Sequence, residues 1–135
     1  MKTWFTSLNG AIALSMIALL SLLARTFVDF QFVFTEFASG PGQAALAVLI
    51  MTALFGSWFW GLLAAVRGSR RGLIVVLILT LLLPFGEGIA TLISFCPSPC
   101  LTAWPLMEIA NWSNVILGLV AALAVGLHLR QARPA

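Results

Sequence analysis

The chain has 135 residues, 61% hydrophobic and 8% charged, with seven Lys and Arg against four Asp and Glu and a mean hydropathy of +1.09. A soluble domain carries about 25% charged residues, so this composition excludes a water-covered globular surface and points to the membrane class. The net charge of +3 is spread over isolated anchors rather than an extended basic patch, which excludes a nucleic-acid partner.

Runs of about 20 apolar residues span a bilayer core of roughly 30 Å. Four such runs are present, at about 8–24, 43–66, 72–95 and 112–129. Each is uniformly apolar rather than alternating, which predicts helices and not the strands of a spanning barrel. The expected fold is an all-α integral membrane protein: one domain over 1–135, with four transmembrane helices in a bundle and short interfacial segments in the two outer loops.

The first run follows Lys2 as the apolar core of a signal peptide would, but "SLLARTF" offers no small-x-small cleavage site. It is therefore expected to be retained. Arg25 closes it, and "RTFVDFQFVFTEFASGPG" follows with five phenylalanines between positions 27 and 37. Phe27, Phe30, Phe34 and Phe37 recur at helical spacing, whereas Phe30, Phe32 and Phe34 alternate as a strand would. The helical version is an interfacial segment with its phenylalanines in the lipid boundary. In either form these groups need a membrane or a partner to cover them.

The second run carries Ala53, Ser57, Gly61 and Ala65, each four residues apart. Small residues at that spacing let helices approach closely in lipid. Trp58 and Trp60 lie among bulky neighbours and are candidates for contact with lipid or pigment. "RGSRRG" then makes a tight connection to the third run.

That third run contains "PFGEG". Pro84 removes a backbone donor, and Gly86 and Gly88 permit a kink or a close approach. Glu87 between them is an intramembrane acid, an expensive residue that marks function by default; Arg25 is its nearest expected counter-ion within the chain. Nine residues on, "CPSPC" separates Cys96 from Cys100 by three residues. On the oxidising side of a membrane such a pair is expected to form a disulfide. Trp104 and Trp112 bracket a further surface-hugging segment. The fourth run repeats the small-residue pattern at Gly118, Ala122 and Gly126, and His128 near its end is a candidate for pigment or lipid contact.

Lys2, Arg67, Arg70, Arg71, Arg130 and Arg133 fall on one side of this map, and Arg25 alone on the other. By the distribution of Lys and Arg in short loops, both termini are expected in the cytoplasm, the chain being a multi-pass protein of the cell (inner) membrane. No nucleophile–base pair, paired carboxylate motif or phosphate-binding loop is present, so no catalytic residue is assigned. A metal site is not expected, since Cys96 and Cys100 lack further ligands and His128 lies at the opposite face. The expected function is a small accessory or structural subunit of a larger membrane complex, with a respiratory or photosynthetic assembly as the host class. Its partners are other membrane subunits and lipid. No cofactor is expected on this chain alone, although a lipid, quinone or pigment can sit where partners meet it. Two alternatives stand beside this: a small transporter or flippase subunit using Glu87, and a membrane thiol-disulfide oxidoreductase using Cys96 and Cys100. The latter resembles the vitamin K epoxide reductase type in helix count and in having one cysteine pair, but lacks that type's second pair.

Overall fold

The computed structural model describes residues 3–36, 41–87 and 105–132, with side chains described at 3–27, 42, 45, 46, 48–86 and 109–132. Among the described residues the chain is helical throughout and has no strand. A 3-10 turn, Trp4–Thr6, precedes α1, Leu8–Glu36. Helix α2 covers Pro41–Val66, and α3 covers Arg70–Thr80 before running directly into a π-helical segment, Leu81–Glu87. The last helix, α4, covers Pro105–Gln131. Three stretches, Leu8–Phe27, Val48–Val66 and Ile109–Gln131, are long and apolar enough to cross a membrane.

Two helices are longer than the apolar runs that announce them. Helix α1 continues past Ala24 through the phenylalanine-rich segment to Glu36, taking the helical one of the two conformations its spacing allows. Hydropathy falls at Arg25, but no Gly or Pro interrupts the backbone before Gly40, and it is those residues that stop helices. Similarly, α4 begins at Pro105 rather than near Trp112. Proline suits a first helical position because its fixed φ is already helical and its missing N–H would have had no partner there.

The connection between α2 and α3 is specified residue by residue. Gly68 adopts φ +80°, a left-handed conformation that costs glycine nothing. Its N–H donates to the Ala65 carbonyl at 2.9 Å, and the Ser69 N–H donates to the Ala64 carbonyl at 2.9 Å. This pair of bonds is the Schellman arrangement that closes a helix end. Ser69 then opens α3 as its N-cap, its Oγ accepting from the Gly72 N–H at 3.4 Å. At the start of α1, Ser7 plays a similar part: its Oγ accepts from the Gly10 N–H at 3.1 Å and donates to the Trp4 carbonyl at 2.6 Å.

Helices α1 and α4 form the most extensive contact, α2 and α3 the next. Thr6 meets His128 and Ser21 meets Asn114, so α1 and α4 run antiparallel. Their shared surface is made of small groups, with Ala11, Ala18, Ala121 and Ala124 fully buried. Helix α3 and its π extension pack against α4 as well, whereas α2 leans on α3 and, less, on α1, and among the described residues makes no close approach to α4. The core is completed by Leu19, Leu22, Trp58, Leu62, Leu73, Val76, Leu79, Leu83 and Val125. Exposed Arg67, Arg70, Arg71 and Arg130 gather with the Trp4–Thr6 turn at one end, the basic end. The start of α4 and the π segment lie toward the opposite end.

Candidate functional site

The interior contains polar groups that apolar helices rarely bury without purpose. Ser15, Thr80 and Asn114 are 0% exposed and Asn111 is 2% exposed. Thr80 satisfies itself, its Oγ1 donating to the Val76 carbonyl at 2.6 Å one turn back. Ser21 donates from Oγ to Asn114 Oδ1 at 2.7 Å, bridging α1 and α4. Three further atoms, Ser15 Oγ, Asn111 Oδ1 and Asn114 Nδ2, are buried without a hydrogen-bond partner among the described residues. Each such atom costs about 1–3 kcal/mol. Ser21 and Asn114, with Asn111 one turn earlier on α4, mark a polar seam at the α1–α4 contact, and Ser15 lies further back along α1.

The Ser21–Asn114 bond provides a measurable coupling. In membranes, interhelical side-chain hydrogen bonds average about 0.6 kcal/mol and reach about 1.7. A double-mutant cycle with Ser21→Ala and Asn114→Ala, followed by reversible unfolding in SDS–lipid micelles, is expected to give a coupling of about 1 kcal/mol. Strictly additive losses would show that the bond contributes nothing. Arg25 lies one turn beyond Ser21 on α1 and is half-buried. The Glu87 side chain lies outside the described residues, so its distance from Arg25 does too. Gly88, Cys96, Cys100, Trp104 and Phe37 also lie outside them, and of Phe30 and Phe34 only the helical backbone is described.

The small-residue positions divide. On α2, Gly61 and Ala65 are buried, while Ala53 and Ser57 face outward. A Cβ on Gly61 would sit 3.1 Å from Val76 Cγ2 and 3.2 Å from the Gly72 carbonyl oxygen, which places the α2–α3 crossing at this level. Ser57 donates to the Ala53 carbonyl at 2.7 Å, so its hydroxyl is satisfied within its own helix. On α4, Gly118 and Ala122 are buried; a Cβ on Gly118 would meet the Phe85 backbone nitrogen at 2.9 Å and Pro84 Cβ and Cγ at 3.1 Å. A Cβ on Gly126 would meet nothing within 4 Å.

Pro84 is itself fully buried inside the π-helical turn. In an α-helix its ring would collide with the Thr80 carbonyl and leave that carbonyl without a donor; a wider turn relieves the collision. Gly86 fits the same turn, since a Cβ there would approach the Leu81 carbonyl oxygen to 3.0 Å.

The aromatic candidates separate as well. Trp58 is 0% exposed and belongs to the core, whereas Trp60 is 58%, Trp112 50% and Phe27 68% exposed. Two open grooves flank α2. One, of about 600 Å³, lies between α1 and α2 and is lined by Leu23, Thr26, Phe27, Phe55, Gly56 and Phe59 among others. The second, of about 520 Å³, is lined by Thr52, Ala53, Gly56, Ser57, Trp60 and Val75. His128 is half-buried at the basic end and donates from Nδ1 to the Thr6 carbonyl at 3.0 Å, clasping the amino-terminal turn to α4. Among the described residues no group of three or more His, Cys, Asp and Glu could hold a metal ion.

Asn111 and Asn114 are the site residues that the apolar runs concealed. Their signal lies in the repeat itself: Asn114, Gly118, Ala122 and Gly126 follow one another at intervals of four, so Asn114 extends the buried face by one turn. Asn111, three residues earlier, shares that face. Comparison with protein-family models, curated proteins and solved structures gives no match.

Proposed function

We propose that this chain is a small accessory, structural subunit of a larger membrane complex. In this reading 72–95 is also a span, the third of four, the helices form a bundle in the inner membrane, and both termini are cytoplasmic. The observation that carries the reading is the divided stripe of α2. Gly61 and Ala65 are consumed by α3, while Ala53, Gly56 and Ser57 continue the same pattern on an uncovered surface flanked by grooves. In lipid, a small-residue surface with no helix against it is where another helix packs best, because close backbone approach replaces the missing hydrophobic drive. Four exposed arginines at one end support the orientation, by the bias of Lys and Arg toward cytoplasmic loops.

The mechanism is scaffolding. Partner helices seat on the outward part of α2, and lipid chains fill the groove between α1 and α2. Purification from native membranes in mild detergent tests it: the chain is expected to migrate with larger polypeptides, and Ala53→Leu with Ser57→Leu to release it. Migration of the unaltered chain alone would remove the accessory-subunit reading.

A further inference from the structure

The polar seam calls for something that no docking subunit supplies. Asn111 and Asn114 are 2% and 0% exposed, so neither a partner helix nor a bulky ligand reaches them. The atoms left without a partner among the described residues are an acceptor, Asn111 Oδ1, and a donor, Asn114 Nδ2. Rotating the Asn114 amide leaves its Oδ1 in place of Nδ2, because Ser21 Oγ engages either end. What binds must be small, and water serves both arrangements because it donates and accepts.

We propose that the α1–α4 seam is a hydration site, where water bridges Asn111 and Asn114 inside the helix cluster. Such sites suit water because each molecule can serve two to four polar partners at once. Asn114 lies five residues inside the Ile109–Gln131 apolar stretch, about 7 Å at 1.5 Å per residue, so the water stands within the outer part of the apolar span. The bound water gives the helix cluster a polar path between Asn111 and Ser21 that small water-borne reagents share.

The test compares two neighbouring positions of α1 in the full-length chain. Leu20 is 58% exposed on the outer surface, where lipid surrounds it, whereas Ser21 faces Asn114. Each is replaced singly by cysteine in a Cys96→Ser, Cys100→Ser background, and permeabilised membranes are treated with 2-aminoethyl methanethiosulfonate. Permeabilisation makes the result independent of which way the chain faces and of whether a partner complex exists. Thiols react as thiolates, which form in water and are suppressed in apolar surroundings. The Ser21→Cys protein is expected to react at least about tenfold faster than Leu20→Cys; equal or slower reaction overturns the site. A measurement on the unaltered chain guards against disturbance by the substitutions. In water-edited solid-state NMR of lipid-embedded protein, the side-chain amides of Asn111 and Asn114 are expected to gain water magnetisation as quickly as exposed Arg70 and Arg71. A build-up as slow as that of buried Leu73 and Val76 overturns the proposal.

Discussion

Gly72→Ala is expected to destabilise the chain by about 2 kcal/mol, within the range for forced overpacking, although alanine adds only one methyl group. That methyl group is the collision. Built on Gly72, it stands 2.7 Å from Ala64 Cβ, 2.7 Å from the Gly61 carbonyl oxygen and 2.8 Å from the Ala65 backbone nitrogen. Two of those three atoms are backbone, so no side chain can turn aside and the whole of α2 must shift from α3. Gly126→Ala is the matched control, because its new methyl group meets nothing within 4 Å. There the helix-propensity gain of up to about 1 kcal/mol acts alone, and stability is expected to hold or rise. Thermal or SDS-driven unfolding of the two variants side by side decides the matter. Equal effects at the two glycines would mean that the α2–α3 crossing is looser than described.

Gly118→Leu is expected to cost about 3 kcal/mol, at the upper end of the overpacking range, by driving α4 away from the π-helical turn at Pro84 and Phe85. The obstruction here is partly a side chain, the Pro84 ring at 3.1 Å, and partly the Phe85 backbone nitrogen at 2.9 Å. Removing the ring should therefore return some of the loss. In a cycle of Gly118→Ala with Pro84→Ala, the Gly118 substitution is expected to be milder by about 1 kcal/mol in the Pro84→Ala background, as for residues in direct contact. Simple addition of the two losses would show that Pro84 and Gly118 do not share the contact.

The helical class was legible from uniform apolar runs, because lipid-soluble length is a property that composition reports directly. Helix limits were less so: α1 outlasts its hydropathy by a dozen residues to Glu36, since polarity alone does not interrupt a backbone that holds no Gly or Pro over that stretch. The small-residue repeat gave the spacing of close approach but not its extent. Gly61 and Gly118 meet neighbouring elements, yet Ala53 and Ser57 share that spacing and stay exposed, and a Cβ on Gly126 would meet nothing within 4 Å. Periodicity defines a face, and only the crossing point of two helices decides which part of it is used. Trp58 and Trp60 illustrate the same limit, two residues apart and at opposite extremes of burial. The asparagines were hidden because two polar residues barely lower the hydropathy of a long helix, and their meaning emerges only when Ser21 is found opposite.

The pairing of α1 with α4 also fixes an order of events as the chain is made. Helix α2 meets α3 across the three-residue turn Arg67–Ser69 and can fold back as soon as both are released. Helix α1 is synthesised before either of them, yet its main surface waits for a partner 93 positions later, the separation of Ser21 from Asn114. Until α4 is released, Ser21 lacks the Asn114 amide that accepts its hydroxyl. Helix α1 therefore gains its main contact last, and a chain stopped before α4 offers it only its smaller contacts with α2, α3 and the π segment.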